Sequence, residues 1–121
     1  MNKIVTILSL IASASAFSHS MSPVSYGGKD DPLNAITLTG YVVVPITVGS
    51  STGKDFVITV DDEEVDEVYV AAGSKSRASI PVKLNEPNQV ETHHVCSIGM
   101  GETFNTKICT KVKAYWLKQD I

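Results

Sequence analysis

Cys96 and Cys109 are the only two cysteines in the chain, and the residues on either side of them alternate like a long β-hairpin. Joined, they close a loop of about fourteen residues, worth roughly 3 kcal/mol in the chain-entropy account of disulfides. The hairpin spans Gln89 to Leu117, with Ser97-Ile98-Gly99-Met100-Gly101-Glu102-Thr103 read as its connecting loop. Whatever else the chain forms has to pack against this framework.

The pairing is expected because the chain carries an export signal. Lys3 supplies a positive first region, Ile4 to Ala12 an apolar one broken by Thr6 and Ser9, and Ala14-Ser15-Ala16 a small-residue cleavage site. Residues 1–16 are therefore read as a signal peptide, with a second site after Ser20. The apolar stretch is well short of the roughly 18 residues that span a bilayer, and no cysteine follows either site to carry a lipid. The protein is expected to be secreted or periplasmic, where two cysteines pair, with no membrane insertion once the signal is gone.

The remaining hundred or so residues are one domain's worth, enough to bury a core without metals. Losing Lys3 leaves nine basic against thirteen acidic residues, a net charge of −4. Nucleic acid is excluded as a partner, because phosphate affinity needs clustered Lys and Arg in excess.

Residues 17–35 hold Ser22-Pro23, Gly27-Gly28 and Asp31-Pro32, breaker chemistry that reads as a flexible N-terminal arm. The sandwich domain is placed at 36–121. Ile36, Leu38, Gly40, Val42, Val44, Ile46 and Val48 share one face at period two. Pro45 cannot donate to a ladder, so the run is divided into strands 36–40 and 42–48, or is an edge strand that changes partner at the proline. Phe56, Ile58 and Val60 form a third strand. The segment after Asp61 has capping-box spacing, Asp61 to Glu64, and a glycine at 73. Val68-Tyr69-Val70 favours a strand instead, in a hairpin with Ala78, Ile80, Val82 and Leu84. Val90, Thr92, His94, Cys96 and Ile98 alternate along a sixth strand; Ile108, Val112, Ala114 and Trp116 alternate along a seventh. About seven strands at near-regular spacing point to an all-β fold, an antiparallel β-sandwich of immunoglobulin-like type with one disulfide.

The hairpin contains a conflict. A regular ladder through Cys96 and Cys109 sets Val95 opposite Thr110 and His93 opposite Val112, so even residues of one strand share a face with odd residues of the other. Both strands nevertheless look more apolar on their even faces. A one-residue bulge would reconcile the two, as would a disulfide lying outside the ladder at the loop's mouth.

Chemistry-bearing motifs are few. Gly49-Ser50-Ser51-Thr52-Gly53 matches the nucleophile-elbow pattern, but a strand follows it where a helix is required; it reads as a turn. His93 and His94 are adjacent, so a strand points them to opposite faces and they do not chelate one ion. His93 is read as a surface or rim histidine that titrates near neutrality beside a carboxylate such as Glu91. His19 is assigned to the signal or the arm. The six acids within 61–67 are consecutive and lack the glycine of a calcium loop. No metal, cofactor or catalytic set is assigned.

The expected function is that of a non-enzymatic binding or structural module contacting a protein or glycan through loops or an edge strand. Ile98, Gly99, Met100 and Gly101 in the hairpin loop, with Lys111 and Lys113 on the last strand, are the candidate contacts. The charge asymmetry also allows self-association. A different reading is a periplasmic inhibitor or chaperone-like factor that inserts the 97–103 loop into a client. Intact mass of the extracytoplasmic protein should place its first residue near Phe17 or Met21; a mass still including Met1 contradicts export.

Overall fold

Val42, Val44, Ile46 and Val48 all point the same way from one ten-residue strand and are all buried. In the computed structural model, which describes residues 19–28, 35–100 and 106–118, this strand lies at the centre of the smaller of two sheets. The strands are β1 (His19–Ser22), β2 (Ser25–Gly27), β3 (Ile36–Thr37), β4 (Tyr41–Ser50), β5 (Lys54–Val60), β6 (Glu63–Val70), β7 (Ser74–Lys83), β8 (Val90–Gly99) and β9 (Lys107–Trp116). The first sheet has the order β1-β4-β7 and the second β2-β9-β8-β5-β6, with β3 also pairing β9. Every pairing is antiparallel except those of β2 and β3, which run parallel to β9. The fold is an all-β sandwich with one disulfide.

Its core is the meeting of the two inner faces. From β4 and β7 come Val42, Val44, Ile46, Val48, Ile80 and Val82, with Leu84 just beyond β7; from the second sheet come Phe56, Ile58, Val70, Val95 and Val112. Each such side chain contributes about 1.5 to 3 kcal/mol on burial. These twelve together outweigh the disulfide's roughly 3 kcal/mol several-fold. Burial drives the collapse, and the disulfide holds one register within it.

Five expectations are corrected. The run 36–48 does divide beside Gly40, but the first strand is only Ile36–Thr37 and does not share the core face of the second: Leu38 is 66% exposed. Gly40 has φ 89° and lies against the Trp116 ring, a site where a side chain meets both strain and the indole. Pro45 sits inside β4 opposite Ser79, just past the last residue that β1 covers, Thr47. β4 is nevertheless no edge strand and does not change partner at the proline: β7 pairs with it from Tyr41 to Ser50.

The second correction concerns 17–35. Its described residues are not a free arm. β1 pairs β4, then β2 pairs β9, so the segment crosses from one sheet to the other. Thr110 Oγ1 donates to the Pro23 carbonyl and the Lys111 amide to the Val24 carbonyl. Gly27, at φ 79°, is packed so closely on the Lys113 carbonyl and Ala35 that a Cβ would overlap both.

Third, β6 is a strand, but its hairpin partner is β5 across a two-residue Asp61-Asp62 turn, not β7. Both turn residues have positive φ, 51° and 70°, the requirement of the primed turns that match strand twist. The link 71–73 instead carries the chain between sheets.

Fourth, the ladder of β8 and β9 is regular from Val90↔Tyr115 to Ile98↔Lys107, with Cys96 opposite Cys109 inside it. No bulge intervenes. What was misread is the face of β8: His93, Val95 and Ser97 point inward, and Cys96 lies on the outer side although only 2% exposed. Fifth, β8 continues to Gly99, so Ser97 to Gly99 belong to the strand and not to the loop.

Cys96→Ser combined with Cys109→Ser is expected to lower unfolding free energy by about 2 to 4 kcal/mol while the fold persists, as measured by denaturant titration with far-ultraviolet circular dichroism. Complete unfolding at room temperature would show that the core is weaker than its burial implies.

Candidate functional site

Three of the candidate contact residues share a face. Strand alternation puts Thr92, His94, Cys96 and Ile98 of β8 on the outer side of the second sheet, opposite Lys113, Lys111, Cys109 and Lys107 of β9. Ile98, Lys111 and Lys113 thus lie along one ladder with the disulfide between them. Lys111 and Lys113 are exposed, and among the described residues neither has an acidic partner. Lys107 does, reaching Asp62 in the β5–β6 turn at 2.8 Å.

The other candidates separate from this face. Gly99 is buried, and a Cβ there would press on Phe56 and Thr106; its role is in packing. Met100 ends the strand half-exposed, its amide donating to the Asp55 carbonyl. Gly101 lies outside the described residues.

Two polar clusters that sequence reasoning missed sit on the inner side of β8. His93 is only 7% exposed, not the rim residue expected, while His94 faces out as alternation requires. One ring nitrogen of His93 meets Asp61 Oδ2 at 2.5 Å, the other Glu91 Oε1 at 2.9 Å. Asp61 also accepts the His94 amide, and Glu91 accepts the Asn85 and Glu86 amides. One imidazole thereby ties the β5–β6 turn, β8 and the β7–β8 connection together. Burial alone would drive His93 toward its neutral form, but the hydrogen bonds to Asp61 and Glu91, and then their charges, outweigh it and raise its pKa. Burial likewise opposes ionisation of Asp61, and of Glu91; hydrogen bonds overcome it and both pKa values are lowered. Both ring nitrogens face a carboxylate oxygen, an arrangement that favours the imidazolium form. The readable signal was Glu91-x-His93, two residues that a strand places on one face.

His19 forms the second cluster. It is the first residue of β1, stacked 4.6 Å from the Phe56 ring, with hydrogen bonds to Ser97 Oγ at 2.9 Å and Thr106 Oγ1 at 2.8 Å. Burial, then the nearby Lys54 charge, lowers its pKa. Ser97 and His19 are at nucleophile–base distance, but Ser97 has no exposed surface and both ring nitrogens of His19 are engaged. Ser51 lines a cleft beside His19, and no hydrogen bond joins them, since His19 bonds elsewhere. Both imidazoles act as fasteners.

His93→Gln should destabilise the protein in a pH-dependent way. The folded state holds the His93 proton more tightly than the unfolded chain, so that contribution is complete below the ordinary histidine pKa of about 6.5 and fades as pH rises through the raised value. The depressed carboxylates contribute above their ordinary range of about 4 and lose it as pH falls through the lowered values. Thermal melts should therefore show the largest gap between wild type and variant at about pH 5 to 6.5, narrowing on both sides. A gap independent of pH would show a neutral His93.

Comparison with known proteins finds no match: no family model, no curated protein and no solved structure matches the chain.

Proposed function

We propose that the protein is an exported, non-enzymatic binding module whose outer β8–β9 face contacts an anionic protein or glycan. The observation that carries this reading is the pair Lys111 and Lys113, exposed on the same face of one strand and, among the described residues, without an ion-pair partner. In a chain whose net charge is negative, two cations on one face of a strand mark a local field of opposite sign, which steers and orients an anionic partner. His94 opposite Lys111 and Ile98 further along the ladder add a polar and an apolar contact. The cross-strand disulfide and the sheet beneath keep the face preorganised, which reduces the ordering cost of binding. Export is supported by the tripartite leader and by the disulfide itself.

A second reading, an inhibitor or chaperone-like factor acting through the hairpin tip, is favoured by one observation: Met100 is 47% exposed where β8 ends, and an adaptable apolar side chain suits a client surface.

Titration calorimetry against a sulfated polysaccharide and against polyglutamate tests the first reading. Lys111→Glu with Lys113→Glu should weaken binding by about tenfold or more, equivalent to roughly 1.4 kcal/mol, with the thermal midpoint unchanged. Wild-type binding should weaken with added salt. Should wild type bind neither polyanion, or the reversal leave affinity intact, the cationic face is not the contact. Met100→Asp then decides for the tip, by losing client binding without loss of stability.

A further inference from the structure

We infer that the side of the sandwich formed by the edges of β6 and β7 docks a second copy of this chain, each β6 lying antiparallel along the other copy's β7. This goes beyond the contact face on β9, which it does not use.

Among the described residues, β6 ends the second sheet and β7 ends the first. The two edges lie on the same side of the molecule. At one end Ser76 Oγ donates to the Tyr69 carbonyl; at the other, Glu63 and Val65 share a cleft with Pro81 and Lys83. The strands therefore run in opposite directions, with Tyr69 level with Ser76 and Glu63 level with Lys83.

Their charges are opposite. Four of the eight residues of β6 are acidic, Glu63, Glu64, Asp66 and Glu67, and none is basic. β7 carries Lys75, Arg77 and Lys83 and no acid. All seven are exposed, and among the described residues none is in an ion pair. Charge on an edge strand is a common guard against pairing, and either sign serves that purpose. Opposite signs on two edges of one side go further, because they make that side complementary to itself.

A two-fold axis along the strands keeps every residue at its level while exchanging β6 for β7. Glu64 of one copy then meets Lys83 of the other, and Glu67 comes diagonally beside Arg77. Ladder registers place Glu64 opposite Thr59 and Glu67 opposite Val57, both on the outer face of their sheet. Arg77 and Lys83 are the exposed, outward members of β7. The rotation leaves outer faces outermost, so the opposite charges become cross-strand neighbours on one face, where they attract. Tyr69 and Val65, 61% and 47% exposed, lie within the covered strip. Both edges are used at once, so the assembly closes as a dimer and does not propagate.

Sedimentation equilibrium of the full secreted chain tests this. Wild type should form dimers at about 0.01 M salt and weaken more than tenfold at about 1 M, as the Debye length falls from roughly 30 to 3 Å. Arg77→Glu with Lys83→Glu, and separately Glu64→Lys with Glu67→Lys, should each be monomeric with an unchanged thermal midpoint. Mixed in equal amounts, the two variants should form a heterodimer, while Lys111→Glu with Lys113→Glu should dimerise like wild type. A wild type that stays monomeric at low salt overturns the inference, and so does a mixture of folded variants that fails to associate.

Discussion

The facing pair Cys96 and Cys109 sets a parity that the rest of the molecule has to accommodate. In a regular antiparallel ladder, side chains alternate with a period of two, so once these two share the outer face, every odd residue of β8 from His93 to Ser97 enters the core. Two of those three are polar. A buried histidine and a buried hydroxyl without partners would cost of the order of 1 to 3 kcal/mol each. The structure answers each with a group brought from far along the chain, Asp61 for His93 and His19 for Ser97, and adds Glu91 from the same strand for His93. The turn at Asp61-Asp62 and the placement of β1 are thus consequences of a register fixed on another strand.

That dependence explains why the N-terminal segment belongs to the fold. β1 covers only the last four residues of β4, a contact too short to hold by backbone pairing alone. Its hold comes from His19 stacked on Phe56 and bonded to Ser97, and from Met21, whose sulfur accepts the Ser97 hydroxyl. β2 then pairs β9 at Lys111 to Lys113, the residues whose side chains form the proposed contact face. The segment that looked like an arm therefore buttresses the strand that carries the cations.

Legibility followed the strength of the local pattern. The β4 valines and the Ile80–Val82–Leu84 run read correctly because an uninterrupted period of two over apolar residues admits one interpretation. β8 read wrongly because its outward residues include Cys96 and Ile98 and its inward ones His93 and Ser97, so polarity pointed to the wrong face. Only the tertiary partners of the inward residues reverse that inference. The same holds for His19, whose neighbours Ser97 and Thr106 are 78 and 87 positions away. Of the site, the pairing of the cysteines and the shared outward face of Lys111 and Lys113 were visible in alternation. Gly99 was not separable from Met100, because a glycine required by Phe56 resembles a glycine in a loop.

Acidic β6 and basic β9 belong to one sheet, yet their charges do not cancel. β5 and β8 lie between them, and three strand spacings of about 4.8 Å place them roughly 14 Å apart. At physiological ionic strength the screening length is about 8 Å, so each strand presents its own field to an approaching surface. The apolar and disulfide-bearing middle of the sheet keeps that separation: Val57, Thr59, Cys96 and Ile98 occupy the intervening outer positions, and Lys107 is withdrawn from the basic row by its bond to Asp62. One small sheet can therefore hold two contacts of opposite polarity. Engagement at the β6 edge leaves the Lys111–Lys113 face open, and a dimer built on that edge would carry two such faces, so that a polyanionic partner is bound through two sites at the effective concentration the dimer imposes.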